Sequence, residues 1–262
     1  MVPMGKRDFV EERRNKILEY LNKNSRADVA ELADFHTVTE ATIRRDLVTL
    51  EKRGRLYRAH GGALRREQLS VWQISRLQDR MVMHLEDKTR IAQFATQLIH
   101  DGESLMMDGG STTMLVAQKL SAKKNLLVVT NSPDIGELMI EPSDNKVILT
   151  GGELLKETKA LIGSAAEQSL NQYRTDKAII GVSGIIVDEG CFSAIPQEAE
   201  IKRLMSLHSS ETILVADSSK IGARAFTFFC DFTRVDKLVT DKNIGKEALE
   251  ELKRQGVEVF TV

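Results

Sequence analysis

The residues best suited to chemistry sit where short apolar runs give way to polar, glycine-bearing turns in the later part of the chain. Asp108-Gly109-Gly110-Ser111-Thr112-Thr113 follows one such run and opens a helical stretch. Exposed amides at a helix start, glycines that admit close approach and three hydroxyls suit a phosphate. Asp108 would repel that phosphate, so its expected role is accepting hydrogen bonds from sugar hydroxyls. Thr130-Asn131-Ser132, Gly151-Gly152 and Gly181 with Gly184 end three more runs, and Asp217-Ser218-Ser219-Lys220 ends another, where Lys220 offers a cation to an anionic ligand. One such turn is an ordinary tight turn; five at the same end of one sheet argue for a binding site. Glu198 and Lys202, four apart on a predicted helix, read equally as site residues and as a surface ion pair.

A second set lies near the start. With Ile43, Leu47 and Leu50 turned inward, within about 60° of one another on a helical wheel, the opposite face holds Ala41, Arg44, Arg45, Val48, Thr49 and Lys52. Arginine and lysine beside small residues suit a helix that enters a DNA groove, where the cations meet phosphate and guanine.

The elements that must position these residues follow from periodicity. Helices are predicted over about 7–23, 28–33 and from Thr39, a plausible N-cap with Glu40 in the first turn, to about Arg53, where Gly54 stops the helix. Arg55-Leu56-Tyr57-Arg58-Ala59-His60 then alternates like a strand and runs into Gly61-Gly62, predicting a basic hairpin placed as a wing beside the third helix. This second-helix, turn, third-helix order is the helix-turn-helix arrangement. Residues 64–85, with Arg65, Arg66, Arg76, Arg80 and the sole Trp72, show no clear period and read as a linker, helical in part. Beyond them, helices from Lys88 onward alternate with strands at 104–107, 126–130, 146–150, 178–182, 212–216, 237–240 and 257–262. That alternation predicts a mostly parallel sheet covered on both faces, with ligands at the carboxyl ends of its strands.

Charge supports two surfaces with different partners. The net charge of −1 divides into +5 over residues 1–66 and −6 over the remainder. No apolar run approaches the ~18 residues of a membrane span, the first ten residues lack the pattern of a secretion signal, and a cytoplasmic location is expected. Cys191 and Cys230 lack CxxC spacing and read as reduced structural thiols. His36, His60, His84, His100 and His208 are too dispersed for a metal site. No cofactor, metal or catalytic residue is expected.

The motifs Thr42-Ile43-Arg44-Arg45-Asp46-Leu47, Leu50-Glu51, Gly54 and Arg58-Ala59-His60-Gly61-Gly62-Ala63 resemble the signature of the DeoR family of repressors, with Val38-Thr39 in place of the usual Val-Ser and Ala59 in place of a threonine. Lys88–Ala92, Asp108–Thr113, Thr130–Ser132, Gly151–Gly152, Gly163, Gly190, Glu198–Lys202 and Asp217–Lys220 resemble that family's C-terminal sensor domain, so the resemblance spans about Arg7 to Asp241. It implies an α/β protein: a small winged helix-turn-helix (1–63), the linker (64–85) and a larger sensor domain (86–262) similar in fold to ribose-5-phosphate isomerase and the CoA transferases. It also implies that Arg44 and Arg45 contact DNA, with Thr39, Ala41, Thr42, Thr49, Lys52, Arg58 and His60 around them. Asp46 is expected to form a structural salt bridge. Cys191-Phe192-Ser193-Ala194 departs from the pattern, where ligand choice is expected to be set. The expected partners are double-stranded operator DNA, a phosphorylated sugar and further copies of the chain in a dimer or tetramer, with no membrane. The rival reading is a sugar-phosphate isomerase carrying an accessory DNA-binding domain; against it, no acid and base cluster with assignable roles.

Overall fold

The computed structural model describes residues 6–24, 26–53, 55–59, 61–65, 77–120, 122–140 and 144–262. The side chains of Lys52 and Arg58 and the whole of Gly54, His60, Arg66, Trp72 and Arg76 lie outside that description. The chain forms two compact units, Met1–Ser70 and Val71–Val262.

The first unit runs α1 (Lys6–Asn24), β1 (Arg26–Asp28), α2 (Val29–His36), α3 (Glu40–Lys52), β2 (Leu56–Ala59) and β3 (Gly62–Arg65). Its core is Ile17 and Leu21 of α1, Leu32 of α2, Ile43, Leu47 and Leu50 of α3, and Leu56 of β2, all essentially without solvent exposure. Burying each of these is worth about 1.5–3 kcal/mol. The three strands pair antiparallel in the order β1-β3-β2, so the hairpin expected from the sequence is completed by a third strand from before α2. Gly62 makes this possible: a Cβ there would lie 2.2 Å from the Ala27 carbonyl oxygen.

The second unit begins with α4 (Leu77–Val82) and α5 (Leu85–Ala95), so a helix occupies part of the segment read as a linker. There follow β4 (Ser104–Met107), α6 (Ser111–Leu120), β5 (Leu127–Thr130), α7 (Pro133–Ile140), β6 (Lys146–Leu149), a two-stranded hairpin of β7 (Glu153–Leu154) and β8 (Leu161–Ile162), and α8 (Ser164–Asn171). The remainder is β9 (Thr175–Gly181), β10 (Gly184–Ile186), β11 (Gly190–Ser193), α9 (Pro196–His208), β12 (Ser209–Val215), β13 (Thr227–Cys230), β14 (Lys237–Thr240), α10 (Lys246–Arg254) and β15 (Glu258–Thr261).

All seven strands expected from the sequence join one parallel sheet in the order β15-β14-β12-β9-β4-β5-β6. Neighbouring strand residues feed opposite faces. Met106, Val129, Ile180 and Leu214 pack under α8 and α9, whereas Leu105, Met107, Val128, Ile179 and Val215 pack under α5, α6 and α7. Burial on both faces explains why these strands read as unbroken apolar runs. The order also fixes where a ligand can sit. The chain starts in the middle at β4, builds outward through β5 and β6, then returns to lay β9 on the other side of β4. The carboxyl ends of β4 and β9 therefore flank the point where the winding reverses, and the chain leaves β4 into α6 on one face and β9 through β10 and β11 into α9 on the other, the arrangement that opens a crevice in such sheets.

The sequence reading missed a second, three-stranded antiparallel sheet, β10-β11-β13. Its middle strand, Gly190–Ser193, holds three of the four residues expected to choose the ligand, and all four strand residues are buried. Cys191 and Cys230 face each other across β11 and β13 as free, buried thiols.

Candidate functional site: a DNA-reading helix and a crevice at the strand ends

In the first unit, Thr39 caps α3 by accepting a 3.3 Å hydrogen bond from the Thr42 amide, and the two hydroxyls lie 2.9 Å apart. Thr39 and Thr42 are thus occupied in starting the helix, which limits what they offer to DNA. Asp46 is buried and accepts from Arg13 Nε at 2.7 Å and Arg14 Nε at 2.9 Å, tying α1 to α3 as expected. Arg14 in turn bonds Glu11 at 2.6 Å, and Arg53 reaches the same carboxylate at 2.8 Å, which holds Glu11 down at about 2. This brace leaves Ala41, Arg44 and Arg45 exposed, with Val48 and Thr49 half-buried. The Thr49 hydroxyl donates to the Arg45 carbonyl at 3.0 Å. Arg44 rests on Glu40 at 2.6 Å, an exposed pair one helical turn apart that yields readily to phosphate.

In the second unit the expected turns converge where the winding reverses. Asp108, at the end of β4, accepts from the Gly181 amide at the end of β9 at 2.8 Å, and its other oxygen contacts Lys202 Nζ. Asn131, at the end of β5, accepts from the Gly109 amide at 3.0 Å and donates to the Leu161 carbonyl at 3.1 Å. The Thr130 hydroxyl donates to Met107 at 2.7 Å and accepts from the Ser132 amide at 3.1 Å. These bonds hold the Asp108–Gly110 backbone so that the first turn of α6, with Ser111, Thr112 and Thr113 buried, opens at the strand ends. The amides of that turn have no partners within the helix and suit an anion. At the end of β12, Asp217 accepts from the Ser219 amide at 3.2 Å and also from the Ser219 hydroxyl. Asp241, at the end of β14, accepts from the Ser218 amide at 2.6 Å and fixes the turn that carries Lys220.

Two expectations need correction here. Glu198 and Lys202 are not a surface pair: both are 5% exposed, and Lys202 turns to Asp108 instead of to Glu198. Asp108, expected to await sugar hydroxyls, already has one oxygen against Lys202 and the other on Gly181. Helical spacing signals a pair but not the longer-range partner that replaces it. The glycine at 152 has a packing reason, since a Cβ there would lie 2.4 Å from the Ile162 carbonyl oxygen.

The structure adds two cations that sequence reasoning had not placed in the site. Arg80 of α4 is half-buried, and its buried Nε and Nη2 have no hydrogen-bond partner among the described residues. Lys88 of α5 is 3% exposed and donates to the Arg80 carbonyl at 2.6 Å. Burial pushes Lys88 down to about 8, opposed by Asp217 and reinforced by Lys220 and Arg80. Burial, then the charge of Arg80, pushes Lys202 down to about 7. Glu198 is raised by burial against the pull of Arg80 and the Thr158 hydroxyl. Glu198 Oε1 and Asp217 Oδ2 are also buried without a hydrogen-bond partner. Buried polar atoms are normally satisfied, so these unpaired donors and acceptors are suited to a ligand carrying both an anion and hydroxyl donors. Lys88 was legible as part of a motif; Arg80 carried no signal in a stretch without period. No cluster of histidine, cysteine or carboxylates suited to a metal occurs among the described residues, and none of their helices is long and apolar enough to cross a membrane.

Comparison with known proteins agrees with both halves. The DeoR-like helix-turn-helix domain matches residues 13–68 and the DeoR C terminal sensor domain matches residues 83–242. The HTH-type transcriptional regulator GlpR of Haloferax volcanii is 36% identical over 95% of this chain and 96% of its own. The HTH-type transcriptional repressor GlcR of Bacillus subtilis is 32% identical over 96% of each, and the glycerol-3-phosphate regulon repressor of Escherichia coli 33% identical over 88% of this chain and 90% of its own. Among solved structures, ribose 5-phosphate isomerase A of Methanocaldococcus jannaschii overlaps 51% of this chain and 53% of its own at 15% identity and a TM-score of 0.38. The chain belongs to the DeoR family of DNA-binding transcription regulators.

Proposed function

We propose that the protein represses genes of carbohydrate catabolism and is released from operator DNA when a phosphorylated sugar or related metabolite fills the crevice at the strand ends. The observation that carries the sensor half is the set of unpaired buried atoms on Arg80, Glu198 and Asp217, which ask for one ligand with both anion and hydroxyls. The phosphate is assigned to the first turn of α6 and the cations Arg80 and Lys220, and the sugar hydroxyls to Glu198 and Asp217. Asp108, Asn131 and Lys202 position those groups. Gly151 and Gly152, both exposed after the edge strand β6, form the rim. The names of relatives that include a glycerol-3-phosphate regulon repressor fit this ligand class. The site binds without turnover, and the protein works in the cytoplasm as a homo-oligomer, at least a dimer, because paired half-sites call for paired helices.

Arg44 and Arg45 read the major groove, and the hairpin of β2 and β3 lies against the sugar-phosphate backbone. The test is binding to DNA from upstream of the protein's own gene, titrated with phosphorylated sugars. Salt-sensitive binding released by one compound is the expected result. Absence of specific DNA binding, or turnover of a pentose or hexose phosphate abolished by Lys220→Ala, would overturn it.

A further inference from the structure

Arg80 occupies an unusual place in the chain. It belongs to α4, which begins at Leu77, directly after the segment 66–76 that leads in from the DNA-binding unit. Its backbone is held from two sides: the Arg80 carbonyl accepts from Lys88 Nζ at 2.6 Å, and at the start of α4 the Leu77 amide donates to the Glu157 carbonyl, on the turn between β7 and β8, at 3.0 Å. Its guanidinium points the other way in function. Its buried Nε and Nη2, without a hydrogen-bond partner among the described residues, lie in the electrostatic reach of Glu198 and Lys202 of α9. Other charges near this cluster, among the described residues, include Asp108, Lys88, Asp217 and Lys220. This six-residue helix thus carries a cation two of whose buried donors, Nε and Nη2, are left for an anion.

We propose that Arg80 is the coupling residue of the switch: it grips the anionic group of the ligand in the crevice and thereby sets the position of α4, the first helix of the sensor unit. The inference rests on the sensor reading given above. It separates two roles that a pocket residue can have. A residue that only binds shifts the concentration of ligand needed for release; a coupling residue lowers the release reached at saturation, because the ligand then no longer distinguishes the two states.

The experiment uses the full chain on the upstream DNA, with glycerol-3-phosphate, glucose-6-phosphate and fructose-1-phosphate as probes and with inorganic phosphate and glucose alongside. For wild type, Arg80→Met and Arg80→Lys, calorimetry without DNA fixes the ester concentration that saturates each protein. The ratio of DNA dissociation constants with and without saturating ester is then taken for each protein against itself. Wild type is expected to show a ratio of about tenfold or more with the effective ester, Arg80→Met a ratio within about twofold of unity at saturation, and Arg80→Lys a ratio in between. The lysine variant keeps the buried charge, so it carries the test if the methionine variant does not fold. Full release of both variants at saturating ester would overturn the coupling role and leave the sensor reading intact. No release of wild type by any ester would overturn the sensor reading and this inference with it.

Discussion

Lys202 of α9 meets Asp108, ninety-four residues earlier at the end of β4, in a contact buried from solvent on both sides. Asp108 also accepts from the Gly181 amide, so one carboxylate joins the two strands between which the winding reverses and the helix that covers them. The charges stay together because each, alone, would sit desolvated.

That arrangement predicts the behaviour of Lys202→Met. Below about pH 7, where Lys202 is charged, removing the ammonium leaves the Asp108 carboxylate buried and uncompensated, a loss of about 3–5 kcal/mol in stability. Adding Asp108→Asn removes the orphaned charge and should recover most of that loss without recovering the response to ligand. Thermal or denaturant unfolding of both variants measures it. A double variant no more stable than Lys202→Met would show that the pair is not coupled.

The cations of the crevice give ligand affinity a pH dependence. Lys202 and Lys88 are lowered to about 7 and about 8. In the folded protein they lose protons as pH rises from about 6.5 to 8.5, while a phosphate monoester, with its second pKa near ~6, gains only about a quarter of a charge in that range. An anion should therefore bind more weakly at the upper end and take up protons when it binds near neutrality. Calorimetry in two buffers of different ionisation enthalpy reads that uptake. The linked effect on stability has the opposite sign: unfolded lysines hold protons that the folded ones have released, so these two groups make stability rise with pH from about 7 toward the ordinary lysine value near ~10.4. Glu198, raised, acts in a separate acidic window, contributing stability below the ordinary glutamate range that is lost as pH rises through its folded value.

On the DNA side, Arg44→Ala and Arg45→Ala should each cost about 1–3 kcal/mol in operator affinity if they make bidentate base contacts. Wild-type binding should fall with salt at a log–log slope near −5 for ~6 phosphates neutralised, and loss of one phosphate contact should reduce that slope by about 1. Asp46→Ala acts differently. It frees Arg13 and Arg14, whose side chains are 18% and 15% exposed, and weakens the brace between α1 and α3 by about 1–3 kcal/mol. Its DNA affinity should recover on cooling or with a stabilising solute, whereas that of the arginine variants should not.

The parts of this molecule that were legible are those set by local rules. The stripe Ile43, Leu47 and Leu50, the Thr39 cap and the seven apolar strands each announce themselves within a few residues, and the structure places them accordingly. The placement of the polar turns was legible because a parallel sheet sends the turns that follow its strands to one end. What escaped depends on distance along the chain. Lys202 turns to Asp108 rather than to Glu198 four residues away, and Arg80 joins the site from a six-residue helix too short for a period to show. The sheet β10-β11-β13 escaped because its strands are three or four residues long and its third strand comes from beyond α9. A short buried strand and a variable loop look alike in sequence.

If ligand and DNA are bound by different units of one chain, as proposed, the switch must be reciprocal. If a phosphorylated sugar weakens operator binding by some factor, operator DNA must weaken binding of that sugar by the same factor, because the four states form a closed thermodynamic cycle. Titration of the ester into the protein alone and into the protein saturated with operator DNA should give dissociation constants differing by the release factor measured on DNA. A coupling of about tenfold corresponds to about 1.4 kcal/mol, well within the resolution of calorimetry. Equal ester affinity with and without DNA, alongside clear release from DNA, would mean that the ester acts on something other than a site in the free protein, and competition with phosphate contacts of the basic α3 face would then be the mechanism to examine. Arg44→Ala discriminates the two. It removes a cation from that face and leaves the crevice untouched, so the reciprocal factor survives it only if the sensor carries the coupling.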